Sequence, residues 1–222
     1  MGKSDGSGGR KKDLRKLKSK VSEFRENPVV KLAEDILISI AIVGGIAILL
    51  YTISGIWPPM VAIESGSMEP GMSEGDIVFI VSPSNFVAEG ATKQHGIVTR
   101  RQGQEDGYRT FGGYGDVIVY KPDGSNLRTA IIHRAMFYVE KGETYETISG
   151  DTRVAPHDGF VTKGDANKYY DQEQGLSKVV KPEWVQGKAK YSVPYVGNIR
   201  LLFPSSSNFG GYGTDELGVA GS

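Results

Sequence analysis

The chain has 222 residues, no cysteine, and 26 Lys/Arg balanced by 26 Asp/Glu. That length allows one ordinary domain with appendages and a sizeable core, while the missing cysteines exclude disulfides, thiolate chemistry and cysteine-ligated zinc. The zero formal charge hides an asymmetry: residues 1–31 carry ten Lys/Arg against four acids, so a basic arm precedes an acidic body.

The first nine residues are rich in Gly and Ser and read as disordered. From Arg10 to Asn27 the chain is strongly basic, with Leu14, Leu17, Val21 and Phe24 at helical spacing. This pattern suits either an amphipathic helix on an anionic membrane surface or a solvated tail. Nothing motif-like in it points to nucleic acid.

Ile36–Trp57 is overwhelmingly apolar, and no charge appears before Glu64. As a helix it would rise about 33 Å, enough to cross a bilayer core of about 30 Å. The segment starts too far from the N-terminus, and is too long, for the apolar part of a cleaved signal peptide, so it reads as a retained anchor stopped by Pro58-Pro59. The basic arm precedes this helix and the next Lys/Arg after it is Lys93. By the positive-inside rule the N-terminus is then cytoplasmic, and the domain at 58–203 faces outward from a single-pass protein of the cell membrane.

That domain reads as mainly β. Strands are expected at Ile77–Val81, Val117–Tyr120, Ala130–Val139, Tyr145–Ile148, Phe160–Thr162 and Ala189–Val196, separated by turn signals such as Pro122-Asp123-Gly124. Residues 82–115 look like an exposed polar insertion. Val193–Phe203 is too short to span a membrane and reads as a strand or a greasy surface against the bilayer; 204–222 reads as a disordered tail.

Between the anchor and the first strand lies Ser65-Gly66-Ser67-Met68-Glu69-Pro70, a hydroxyl-rich turn in an odd place for packing. Ser67 is the candidate nucleophile. A serine hydroxyl needs a base within hydrogen-bond reach, and the base needs an orienting carboxylate. Of three histidines, His95 and His157 fall in polar turns, whereas His133 projects from an expected strand. The histidine spacings give no metal-binding pair, so no metal and no cofactor is expected. Candidate acids follow His133: Asp151, Asp158, Asp165 and Asp171.

Taken in order, SGSMEP after an apolar helix, GDIVFI, GDVIVY, IIHR, TKGDANKYYD and GKAKYSVPYVG resemble signal peptidase I of the archaeal and endoplasmic-reticulum type, peptidase family S26. The resemblance covers about residues 36–203 and implies a signal-peptidase-like β-domain on a single N-terminal transmembrane helix. It also implies a serine endopeptidase that removes signal peptides after small residues. On the matching positions Ser67 would be the nucleophile and His133 the general base. The family's two aspartates fall on Asp165 and Asp171, with Asp171 favoured as the partner of His133 and Asp165 as support. The N–H of Ser67 and the hydroxyl of Ser65 would form the oxyanion hole. The sequence departs from the family where Ala166 stands in place of the usual Asn, with Asn167 one place later. Implied partners are secretory precursors, the lipid bilayer and the protein translocation channel. The rival readings are a membrane peptidase with a Ser–Lys dyad and a non-catalytic, membrane-anchored β binding domain.

Overall fold

The computed structural model describes Lys16, residues 27–85 and residues 94–194. The expectations for the rest of the basic arm, the tail, and the last two residues of the Ala189–Val196 strand lie outside the described residues. The chain divides into two units, Met1–Ile53 and Ser54–Ser222.

Among its described residues the first unit holds one long helix, α1, Pro28–Ser54, whose last residue is the first of the second unit. It begins eight residues before the expected start because the sequence supplies a helix entrance there. Asn27 accepts the Val29 N–H at 2.9 Å, and Pro28 occupies the first turn, where no N–H is needed. It ends at Ser54, before Trp57, because Gly55 takes a left-handed φ of 72° and ends the helical path. Its apolar side chains, including Leu37, Ile40 and Val43, are exposed. A helix apolar on every side is built for lipid, and this one is long and apolar enough to cross a membrane.

The second unit is mainly β. Six strands form an antiparallel sheet: β1 (Met60–Ala62), β2 (Ile77–Val81), β5 (Val117–Tyr120), β6 (Ile131–Val139), β9 (Gly159–Lys163) and β10 (Val185–Val193). Their spatial order is β1-β2-β10-β5-β6-β9, so the last strand inserts at the centre. Two hairpins stand apart from this sheet. One joins β3 (Arg109–Thr110) to β4 (Gly113–Tyr114), and the other joins β7 (Thr144–Glu146) to β8 (Thr152–Val154). The Phe111-Gly112 corner of the first has φ of 48° and 76°, as a tight hairpin turn requires.

All four residues of β5 are buried, which explains its unbroken apolar sequence. Val117 and Val119 pack with Met68, Met72, Val78 and Ile80, while Ile118 and Tyr120 pack with Ile97, Ala135 and Phe160. The sheet is therefore covered on both faces along β5. Turning from β1 towards β6, the sheet curls enough that the turn just after β1 reaches β6, although three strands separate the two.

Residues 97–115 are not the exposed polar excursion expected from composition. Ile97, Val98 and Thr99 are buried, and Arg100–Asp106 forms a short helix, α2. Thr99 and Gln102 bond each other's backbone N–H in a capping box, and Gly107 closes the helix at a φ of 73°. Asp116 then ties the segment to the sheet, accepting from Val98 N–H at 2.8 Å and from the Tyr108 hydroxyl at 2.8 Å. Net apolar burial and these bonds outweigh the polar composition.

Phe160 is fully buried between Tyr138 and the β5 face, whereas Leu127 is 98% exposed. Phe160→Ala should lower the unfolding free energy of the detergent-solubilised protein by about 3–5 kcal/mol, and Leu127→Ala by less than about 0.5 kcal/mol, by denaturant titration.

Candidate active site

Ser67 sits in a single 3-10 turn, Gly66–Met68. Met68 is fully buried among Ile63, Met72 and Val117, so the turn is pinned by its own following residue. A second tie comes from the opposite side, where the Ala166 N–H donates to the Ser67 carbonyl at 2.9 Å. Position 166 thus holds the serine through its backbone, which is why Ala serves there. Gly164 permits the approach: a Cβ on it would lie 2.6 Å from the Ser67 carbonyl oxygen and 2.9 Å from His133 Nε2.

The structure brings Ser67, His133 and Asp171 into one hydrogen-bonded line. His133 Nε2 lies 3.0 Å from Ser67 Oγ, and His133 Nδ1 lies 2.8 Å from Asp171 Oδ2. His133 is 4% exposed and Asp171 is fully buried. A carboxylate can only accept, so Nδ1 carries the proton and Nε2 presents its lone pair to the serine hydroxyl. Ser65 Oγ donates to Ser67 Oγ at 3.2 Å and makes no cap to the turn's N–H groups.

Burying a carboxylate demands compensation. Asp171 Oδ2 receives it from His133, from the Tyr120 hydroxyl at 2.8 Å and from Thr162 Oγ1 at 2.6 Å. Burial, and then the charge of Asp171, push the Tyr120 phenol well above its ordinary range, which keeps it a donor. Asp171 Oδ1 has no hydrogen-bond partner.

Asp165 stands apart from this line. It makes a two-point ion pair with Arg134, at 2.8 Å to Nε and 2.6 Å to Nη2. Arg134 in turn reaches the Gly115 carbonyl at 2.8 Å, so Asp165 braces the strand beside His133. Asp151 and Asp158 lie in turns, the latter accepting the Lys141 N–H. His95 is exposed against Tyr138, and His157 meets Trp184 edge to face. Lys163 Nζ donates to the Gly164 and Asn167 carbonyls. Burial, then the charge of Arg100, hold its ammonium below the usual lysine range.

Sequence reading missed Gly164, Tyr120, Thr162 and Arg134. Each adjoins a residue already singled out or ends a recognised strand, but their roles depend on three strands meeting, which spacing alone does not encode.

Ser65, Ser67 and His133 open into a cleft of about 500 Å³, whose apolar walls include Val61, Val119 and Ile132. Two open strand edges border it. On β1, the bonds Ile80 N–H to Pro59 and Ile63 N–H to Asp76 show which residues face β2; by alternation Met60 and Ala62 turn their N–H and C=O to the free edge. On β6, Ala135 N–H bonds Asp116, so Ile132 turns away from β5, and pairing with β9 stops at Arg134.

No protein-family model matches the chain. Over 163 residues it is 28% identical to the signal peptidase complex catalytic subunit SEC11C of Homo sapiens, and equally to that of Mus musculus, covering 72% of this chain. The match spans 65% of those mammalian proteins, just under two thirds of their length. The signal peptidase complex catalytic subunit sec11 of Aspergillus oryzae is 24% identical over 217 residues, covering 92% of this chain and 94% of the relative. The fold and the long apolar helix define a β-domain on a membrane-spanning segment. By these matches the chain is distantly similar to the SEC11 catalytic subunits, and it carries one helix long and apolar enough to cross a membrane.

Tyr120 and Tyr108 both have phenols raised above the ordinary value. The folded state keeps these protons when the unfolded state gives them up, so this stability is complete below about pH 10 and is lost as pH rises beyond it. Ultraviolet titration of the folded protein should leave Tyr108 and Tyr120 protonated after the exposed tyrosines ionise, with their tyrosinate absorbance appearing on alkaline unfolding. Ionisation of every tyrosine together, with the fold intact, would contradict this.

Proposed function

We propose that this protein is a membrane-anchored serine endopeptidase of the signal peptidase I kind, removing N-terminal signal peptides from secretory precursors after small residues. The observation that carries the reading is the line from Ser67 Oγ through His133 to the buried Asp171, opening into an apolar cleft with two free strand edges.

In this mechanism the precursor lies extended in the cleft and adds main-chain bonds to the edges at Ala62 and Ile132. The apolar walls suit small apolar side chains on the acyl side of the cut. Ser67 Oγ attacks the scissile carbonyl while His133 Nε2 takes its proton, and Asp171 steadies the imidazolium through Nδ1. As Ser67 Oγ bonds to carbon, the Ser65 hydroxyl is released to turn, with the Ser67 N–H, onto the developing oxyanion. His133 then protonates the leaving amine. The acyl-enzyme is hydrolysed by water activated at the same nitrogen.

The bilayer serves the chemistry by holding enzyme and precursor on one surface, which raises their effective concentration. The basic arm favours a cytoplasmic N-terminus and an outward catalytic domain, where precursors emerge from the translocation channel. Exposed Trp57, Met60, Tyr191 and Val193 support lipid as a neighbour of the domain as well; Met60 and Tyr191 share one face of the sheet across Phe79.

The test uses full-length protein in vesicles and a precursor with an A-x-A cleavage site. Ser67→Ala and Asp171→Asn should each slow processing by at least about 1,000-fold. Equal processing by wild type and Ser67→Ala would sink the reading.

A further inference from the structure

Segment 97–115 has no part in the mechanism above, yet it builds a second cleft beside Ser67. This cleft holds about 640 Å³ and is lined in part by Glu69, Arg100, Arg109, Tyr114, Arg134 and Asp165. It meets the first cleft at the nucleophile. Ile132 lines the first and Arg134 the second, two residues apart and so on the same face of β6. Likewise Ser67 lines one and Glu69 the other, and Asn167 one and Asp165 the other. The lining residues thus alternate between the two clefts along β6, along the turn that holds Ser67 and along the 164–167 turn.

The two clefts differ in chemistry. The first is walled by Val, Ala and Ile side chains; the second presents three guanidinium groups against two carboxylates. Arg134 and Asp165 neutralise each other in their two-point pair, leaving Arg100 and Arg109 against Glu69 on the rim. Arg109 is held by its stacking on the Tyr114 ring, 4.0 Å from the centroid. Neither Arg100 nor Arg109 has a carboxylate partner among the described residues. Lys163 adds a further positive charge near Arg100. Two arginines beside a nucleophile, neither in an ion pair and outnumbering the single carboxylate of Glu69, form a receptor for an anion.

A chain cleaved at Ser67 must leave the site on the side opposite its acyl half. With the acyl half in the apolar cleft, the leaving half runs past Glu69 into the cationic one, covering about 3.3 Å per residue when extended. We propose that this cleft is the subsite for the released segment, and that Arg100 and Arg109 select an acidic side chain within the first few residues after the scissile bond. The inference rests on the peptidase reading above and adds to it a specificity on the leaving-group side, supplied by segment 97–115.

The test compares three precursors that differ only at the second residue after the cut, Asp, Ser or Lys, processed by the full-length protein in neutral-lipid vesicles. Asp should exceed Lys in kcat/KM by about five-fold, the range of a partly exposed ion pair, and the gap should narrow at high salt. Arg109→Glu and Arg100→Glu should invert the order, raising the rate on the Lys precursor, a gain that misfolding cannot produce. Ser67-dependent cleavage at equal rates on all three, or an order unchanged in both variants, would overturn the subsite and leave the peptidase reading standing. Failure of the wild type to cleave any of them would overturn both.

Discussion

A carboxylate with no solvent exposure survives in a fold only if its surroundings supply what water would have given. Asp171 is such a group, and the second unit is arranged around answering it. Its donors come from three different strands: Tyr120 at the end of β5, His133 within β6 and Thr162 in β9. One oxygen therefore clamps three neighbouring strands along a diagonal of the sheet, since Tyr120 pairs with Ile131 and Thr162 with Ala135 on either side of His133. The same interaction fixes which imidazole nitrogen carries the proton, and so leaves the other to face Ser67.

The reach from that clamp to the serine is made by backbone. The Ala166 N–H holds the Ser67 carbonyl, Gly164 keeps the space between them clear, and Met68 anchors the turn in the core. The curl of the sheet closes the remaining gap, carrying the turn after β1 to a strand four places away in the spatial order. The outer edge of β1 stays unpaired, as does the β9-side edge at the start of β6, so the polar line lies between two open strand edges. Packing, polar satisfaction and an open binding edge thus meet at one closure. On the other side of the turn, Arg134 and Asp165 brace β6, and the 97–115 segment shapes a cleft of opposite chemistry.

Much of this was legible in the sequence because it depends on local pattern. The apolar helix, the mainly β domain, and the strands Ile77–Val81 and Val117–Tyr120 follow from hydrophobic runs and their bounding turns. His133 is the one histidine on a strand expected from the sequence. Ser67 and the acidic run after His133 were visible as motifs, but only three-dimensional closure separates Asp171, in line with His133, from Asp165, paired with Arg134. The end of α1 was misjudged because Pro58-Pro59 drew attention from Gly55, a quieter stop signal. The 97–115 segment was misjudged because composition outweighed a short Thr99–Gln102 capping box and the buried Ile97-Val98 pair. Strand β1 was missed because three residues after two prolines carry too little periodicity to register.

The central claim is that a histidine, rather than a lysine, takes the proton of Ser67. Lys163 is the natural competitor, since its ammonium bonds the 164–167 turn that supports the serine. The direct measurement is the rate of precursor cleavage by His133→Ala and Lys163→Met proteins, each in vesicles and matched for folded protein. The account predicts that His133→Ala loses at least about 1,000-fold while Lys163→Met stays within about ten-fold of wild type. Retained activity in His133→Ala together with its loss in Lys163→Met would contradict it.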